Sequence, residues 1–297
     1  MNGLLIFKRN LAMILSFHPV FDADQQIIFG SRSLNDEDMG FIRKAKAILL
    51  PQTCKYTLYK ACQGSPAFVF PNYDMRFKYS GKIGQSLLFK EQELPAPMTL
   101  EWTTGIQLEE YIKEKDTLPH NIPFFLKTNR GHEAEGVFLI ENQEMLEKGL
   151  KHFQILEKYG TFGFVSQEYI QTQGNVLRTV ILNKTLITYW KRPQTPEQKI
   201  TTINRGAIID KEWREDLQAK GKQAIERLIQ KTGINLAAID FVFDLNIDDP
   251  EPLFLEINYS FGRRGLGGSE NFYGLLHAAI IEWMEEKGLD PKVLKIT

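Results

Sequence analysis

LAAIDFVFDLNIDDPEPLFLEINYSFGRRGLGGSEN, residues 236–271, decides how the rest of the chain is read. Two apolar runs, 237–243 and 253–257, flank an acidic turn and read as strands. The first run carries one carboxylate, Asp240; the second carries Glu256, with Asn258 two residues on. Side chains alternate along a strand, so Glu256 and Asn258 share a face, and a hairpin would bring Asp240 to them. The bland alternative is a pair of edge-strand charges facing water. It is disfavoured because lone carboxylates seldom sit inside apolar runs without a partner. Three hard oxygen donors among hydrophobic neighbours suit Mg²⁺, which takes one or two carboxylates and completes its octahedron with water and phosphate oxygens.

The segment that follows, YSFGRRGLGG at 259–268, combines Arg263 and Arg264 with closely spaced glycines. Glycines let backbone N–H groups approach an anion, and guanidinium groups bind carboxylate or phosphate in bidentate fashion. The stretch reads either as a loop with solvated arginines or as an anion site for an acceptor substrate. The second reading is favoured.

The chain has 297 residues, enough for a large core and two or three subdomains. Its net charge of −1 argues against broad electrostatic binding to nucleic acid or anionic membrane, so neither is an expected partner. No apolar run reaches the length of a membrane span. The opening, MNGLLIFKRNLAMILSF, is hydrophobic but holds Lys8 and Arg9 and lacks a leader cleavage pattern; it reads as a first strand or two. Two cysteines, Cys54 and Cys62, without clustered histidines favour reduced thiols over a disulfide or zinc site, and a cytoplasmic location is expected.

An α/β layer is expected before residue 80. Strands are predicted at 14–17, 48–50 and 69–70, with a helix from about 33 to 47 capped by Asn35 or Ser33. Tyr56, Tyr59, Phe68 and Phe70 read as its core. Ile83, Leu87 and Leu88 have helical spacing, and that helix must stop before Pro95. A short helix at 108–113 precedes strands at 123–128 and 136–140, which flank a polar loop. A helix at 145–159 and a strand at 164–170 follow. LRTVILNKTLITYWKR is a hairpin about Asn183 and Lys184. A helix marked by Leu217 to Ile229 ends near Gly233, and a last helix spans 273–286. The four tryptophans read as packing residues. His132, in the polar loop, reads as solvated.

Lys82, fifteen residues before Pro97 of "PMT", stands at a helix start. Lys127 closes the "FFL" run before the polar loop. Glu168 lies in "QEYI", Gly174 and Arg178 in "GNVLR", and Arg205 and Gly206 in "TINRGA". With Asp240, Glu256 and Asn258, this ordered series resembles the ATP-grasp superfamily, and within it the RimK-type ATP-dependent carboxylate–amine ligases. The resemblance covers roughly residues 82–283.

The resemblance implies a three-part ATP-grasp architecture. An α/β domain at 1–80 would precede a nucleotide lid with connecting helices at 81–170 and a metal-bearing part at 171–297. It also implies ATP and Mg²⁺, with Mn²⁺ as the alternative ion. Lys82 and Lys127 would neutralise phosphates, and hinge residues Glu168, Tyr169 and Ile170 would hold adenine. Asp240, Glu256 and Asn258 would hold the metal. Arg178 and Arg205, with Arg263 and Arg264 at the acceptor, would stabilise developing charge. The implied reaction joins a small-molecule or peptide carboxylate to an amine through an acyl-phosphate. A phosphotransferase that stops at phosphorylation and a non-catalytic ATP-binding module are the alternatives.

Some positions depart from the pattern. The aspartate of the family's "G-x-D-x-R" falls on Val176, where Asn175 is the candidate replacement, and the asparagine of "N-x-x-R-G-G" falls on Thr202. The loop TNRGHEAEGV, 128–137, has only Gly131 and Gly136.

Overall fold

The computed structural model describes residues 13–30, 32–131 and 135–297, with the Arg205 side chain outside the described set. Residues 1–12 of the hydrophobic opening and His132 therefore lie outside the described residues, while its end forms the first strand. The chain forms two compact units: the described part of Met1–Tyr73 with Leu182–Thr185 and Leu266–Thr297, and Asp74–Ile181 with Leu186–Gly265.

The first unit is built on a parallel sheet. Its strands are β1 (Ile14–Ser16), β3 (Gln25–Gln26), β4 (Ala47–Leu49) and β5 (Phe68–Phe70), in the order β3-β1-β4-β5. Between β1 and β3 lies the short β2 (Phe21–Asp22). Helix α1 (Asp36–Lys44) starts at Asn35, as its capping residues require. The Asn35 carboxamide accepts from the Asp38 N–H, and the Asp38 carboxylate accepts from the Asn35 N–H, both at 2.9 Å. Helix α2 (Tyr56–Gln63) crosses from β4 to β5. Tyr59 and Phe70 are buried as expected, but Tyr56 is 56% and Phe68 47% exposed, so those two are not core. Phe68 opens an outer strand, and Tyr56 occupies the first turn of α2.

The second unit opens with the short helix α3 (Asp74–Lys78) and then α4 (Gly81–Glu91). Its first sheet joins β6 (Thr99–Trp102), β7 (Phe124–Thr128), β8 (Val137–Ile140) and β9 (Phe164–Glu168) in the order β6-β9-β7-β8, antiparallel throughout. Alternation assigns its two faces. Phe124, Leu126, Ile140 and Phe164 pack with residues of helices α5 (Gly105–Lys115) and α6 (Gln143–Lys158). Phe153 of α6 stacks on Phe164 with centroids 4.0 Å apart. Phe125, Lys127, Val165 and Gln167 occupy the other face.

The second sheet has the order β12-β11-β10-β13-β14. Its strands are β10 (Val176–Leu182), β11 (Thr185–Arg192), β12 (Ile208–Asp210), β13 (Leu236–Val242) and β14 (Leu253–Asn258). The β10–β11 hairpin turns at Asn183, with φ of 52°, where the sequence places it. Helix α7 (Glu215–Thr232) ends at Gly233, whose φ of 68° suits a residue without Cβ. Leu217, Ala224, Ile225 and Leu228 of α7 bury their side chains with Leu177, Ile181, Trp190, Ile239 and Phe241.

Helix α8 (Gly268–Glu286) belongs to the first unit and begins five residues before its predicted start. Its Trp283 ring lies 5.4 Å from Phe70. The terminal β15 (Lys295–Ile296) pairs antiparallel with β2. Helix α2 and strands β2, β3, β6, β12 and β15 have no counterpart in the sequence reading.

Candidate active site

A cleft of about 1150 Å³, counting its open mouth, lies within the second unit. Its walls come from both sheets: Phe125, Lys127, Val137, Val165 and Gln167 on one side, and Val176, Lys191, Asp240, Val242, Leu255 and Glu256 on the other. Helix α4 adds Lys82, Gln85 and Ser86; the segment after β9 adds Tyr169 and Ile170; and Lys199 to Thr202 close a further edge.

The predicted hairpin pairs Asp240 directly with Glu256, and Ala238 with Asn258. The register shifts between Asp240 and Phe241, so Phe241 faces Phe254 and Leu255 becomes the extra residue. Phe254 then joins the core, with its ring 4.7 Å from that of Phe241, while Leu255 and Glu256 both line the cleft. As β14 is the sheet's edge, Gln85 completes it: its Nε2 donates to the Ile257 carbonyl at 2.8 Å and its Oε1 accepts from the Ile257 N–H at 2.9 Å. This clamp fixes the strand between Glu256 and Asn258.

Across β11, β10, β13 and β14 runs a row of charges: Lys191, Arg178, Asp240 and Glu256. Arg178 donates from Nε and Nη2 to the two Asp240 oxygens, each at 2.8 Å. Lys191 donates to Asp240 Oδ2, also at 2.8 Å. Burial opposes ionisation of Asp240, but the charges of Arg178 and Lys191 outweigh it and hold the carboxyl well below the usual range. Burial pushes the Lys191 ammonium down, against the pull of Asp240. Lys191 was not anticipated. It closes the apolar run LITYW instead of lying within it as Asp240 does in its own strand.

Two further lysines face this row. Lys82 Nζ lies 3.7 Å from Glu256 Oε1. Asn129 sets its position by accepting from the Lys82 N–H at its carbonyl (2.9 Å) and from the Ile83 N–H at its side chain (3.0 Å). Gly81, with φ of 74°, permits the approach, since a Cβ there would lie 2.3 Å from Asn129 Oδ1. Lys127 is buried and donates to Gln167 Oε1 at 2.5 Å; Gln167 in turn donates to Thr99 Oγ1 at 2.9 Å. Burial pushes the Lys127 ammonium down to about 8, with Glu256 pulling it up and Lys82 pushing it further down.

The three residues expected at a hinge differ in what they touch. Glu168 accepts from the Met98 N–H through its carboxylate at 2.6 Å, so this side chain holds β6 to β9. Tyr169 and Ile170 follow the last registered pair of β9 and line the cleft. Lys199, also in the wall, donates to Glu141 at 2.6 Å. Asn175 is buried and is not among the described cleft-lining residues; its Nδ2 donates to the Thr172 carbonyl at 2.9 Å. Val176 faces the cleft as an apolar wall. Arg263 is half-buried, Arg264 is exposed, and neither is among the described cleft-lining residues. Arg205 ends the 3₁₀ turn Ile203–Arg205, three residues past the cleft-lining Thr202, and its side chain lies outside the described set.

The donor set fits a divalent cation in part. Glu256 has a side chain 31% exposed, and Asn258 shares its face. Asp240, expected as a third open ligand, has both oxygens engaged by cations, and Asn258 Nδ2 lies 3.4 Å from Oδ2. Among the described residues no group of three His, Cys, Asp or Glu could hold a metal ion. Of the three, Glu256 and Asn258 carry the less engaged oxygens.

Two facing sheets around a charged cleft, in a chain that also carries a parallel-sheet unit, are the architecture of the ATP-grasp fold. The RimK-like ATP-grasp domain matches residues 82–283, and the chain belongs to that family. Similar solved structures include the RimK domain protein ATP-grasp from Sphaerobacter thermophilus DSM 20745. It has 16% identity, covers 78% of this chain and 80% of that one, and gives a TM-score of 0.55. D-alanine–D-alanine ligase from Bacillus anthracis has 13% identity, with 89% and 87% covered and a TM-score of 0.57. N5-carboxyaminoimidazole synthetase from Staphylococcus aureus, complexed with ADP, has 16% identity and a TM-score of 0.53; 82% of this chain is covered but only 60% of that one. At these identities the shared property is the fold. No curated protein matches. Family members are typically ATP-dependent carboxylate–amine ligases. Among the described residues, no helix is long and apolar enough to cross a membrane.

Proposed function

We propose that the chain is an ATP- and Mg²⁺-dependent ligase that joins a carboxylate to an amine through an acyl-phosphate. One observation carries the reading: four cations, Lys82, Lys127, Arg178 and Lys191, converge on two carboxylates, Asp240 and Glu256, at a largely apolar cleft. The excess of two positive charges suits a polyphosphate, not a neutral ligand.

Tyr169 and Ile170 would supply backbone groups to the adenine edge between the apolar walls. Lys82 and Lys127 would hold phosphate oxygens, and Glu256, Asn258 and Asp240 would hold the ion. Bound Mg²⁺ would neutralise charge on the β- and γ-phosphates. Arg178 and Arg205 would stabilise charge developing as the γ-phosphoryl passes to the substrate carboxylate. Arg263 and Arg264 would orient that carboxylate. Supporting this, their loop starts just beyond Asn258 and is seated at Gly265 against the Tyr189 ring. The 1–80, 81–170 and 171–297 segments would act as substrate, lid and metal-bearing parts.

The test is ATP turnover against amino acids, short peptides and small dicarboxylates, with product masses recorded. ADP with a condensed product is expected. A stable phosphorylated product would make the protein a phosphotransferase, and nucleotide binding without turnover on any acceptor would make it a binding module.

A further inference from the structure

We propose that Lys191 guards Asp240, so that a divalent cation gains this ligand only when nucleotide phosphates draw the lysine away. The inference rests on the nucleotide reading above and adds an order of binding to it. Both Asp240 oxygens are taken, and two cations share them unequally. Arg178 grips both through a planar fork at 2.8 Å, whereas Lys191 makes one bond at 2.8 Å to Oδ2. A bidentate guanidinium is held in fixed geometry, while an ammonium on a four-carbon stem can swing between partners. Lys191 is also the one that borders the cleft; Arg178 is not among its lining residues. Lys191 can therefore reach a phosphate by rotating its own side chain, with its strand unmoved.

The remaining charges fit the same logic. Asp240 between two buried cations presents a net positive site, which repels a second cation at short range. Glu256 has no hydrogen-bonded cation among the described residues, and Lys82 stands 3.7 Å away. Glu256 and Asn258 by themselves form a poor ion site, since one carboxylate and one amide leave most of the coordination shell to water. An arriving triphosphate changes both conditions: it offers Lys191 a stronger partner and, with Arg178 Nη2 still bonded to Asp240 Oδ2, frees the position on that oxygen that Lys191 held. Nucleotide and metal then bind cooperatively, with Lys191 as the positioning residue that couples them.

The test titrates Mn²⁺ into the nucleotide-free protein and counts free ion by electron paramagnetic resonance. Wild type should bind weakly. Lys191→Met should bind at least about tenfold more tightly, because a buried positive charge beside the ligand is gone. Lys191→Arg should keep the wild-type weakness. In chelator, Lys191→Met should also bind a non-hydrolysable ATP analogue about tenfold more weakly. Circular dichroism and melting check that each variant is folded. The wild-type titration is decisive by itself if Lys191→Met fails to fold: tight Mn²⁺ binding without nucleotide overturns the guard. So does unchanged Mn²⁺ affinity in a folded Lys191→Met. If wild type binds no ATP analogue even with Mg²⁺, the nucleotide reading fails and the guard with it. If it binds the analogue while Mn²⁺ affinity ignores residue 191, the guard alone fails.

Discussion

Asp240→Asn should unfold the second unit far more readily than a change at constant shape normally would. Asp240 is 4% exposed, and its partners Arg178 and Lys191 are 9% and 5% exposed. The substitution leaves two buried cations facing a neutral amide. Removing one member of a buried ion pair costs about 3–5 kcal/mol, because the survivor keeps its desolvation penalty. Here two survivors remain, so the upper part of that range applies, less what Lys191 recovers by losing its proton. For a unit of this size the loss corresponds to a fall of roughly 10 °C in melting temperature. The assay is urea and thermal unfolding without nucleotide or divalent ion, followed by tryptophan fluorescence; Trp102, Trp190 and Trp213 all report on this unit. An Asp240→Asn midpoint within about 1 kcal/mol of wild type would refute the account, since it would put the triad near the value of an exposed pair. The pH dependence gives a second check. The folded carboxyl is held below its ordinary 3.8, so its stabilisation is present above that value and is lost as pH falls through the lower folded one. Asp240→Asn should lack this component of acid sensitivity.

Glu256→Gln should behave oppositely: the side chain is 31% exposed, so stability should change by less than about 1 kcal/mol while Mg²⁺-dependent ADP formation is abolished. Wild-type turnover in this variant under limiting Mg²⁺ would exclude Glu256 as a ligand. With Lys127 pushed down to about 8, its charge in the empty cleft is lost as pH rises through that value. Calorimetric ATP affinity should therefore fall between about pH 7 and 9, and Lys127→Arg, charged throughout, should flatten the profile. Gly265→Ala would place a Cβ 2.1–2.5 Å from ring atoms of Tyr189, so it should destabilise by about 1–3 kcal/mol, and Tyr189→Val in the same chain should relieve most of that.

Much of the cleft wall carrying Asp240 was legible because charge in an apolar run is conspicuous. Asp240, Glu256 and Asn258 meet as alternation and a hairpin require. The bulge at Leu255 was not legible, since register depends on how Phe254 and Phe241 pack and not on any local signal. Lys191 escaped notice at a strand end, where most lysines are solvated. Glu168 was found at the hinge, but its carboxylate holds Met98, a contact seventy residues away in sequence that no local pattern carries. Asn175 is the candidate replacement by adjacency to Val176, and the bond from its Nδ2 to the Thr172 carbonyl is a turn contact that adjacency does not reveal. Helix α2 was missed because its N-cap, Lys55, makes no side-chain capping bond. Strand β6 was missed because four residues beyond Pro95 and Pro97 carry too little periodicity.

The first unit is discontinuous: its parallel sheet comes from residues before Tyr73, while α8 and β15 come after Leu266. Synthesis runs from one end, so Phe70 emerges long before the Trp283 it packs against. The second unit lies almost wholly between them and can close while that partner is still unmade. Of the two units, the one whose strands emerge earlier is thus completed later, and its sheet waits for its helix while the other unit is made.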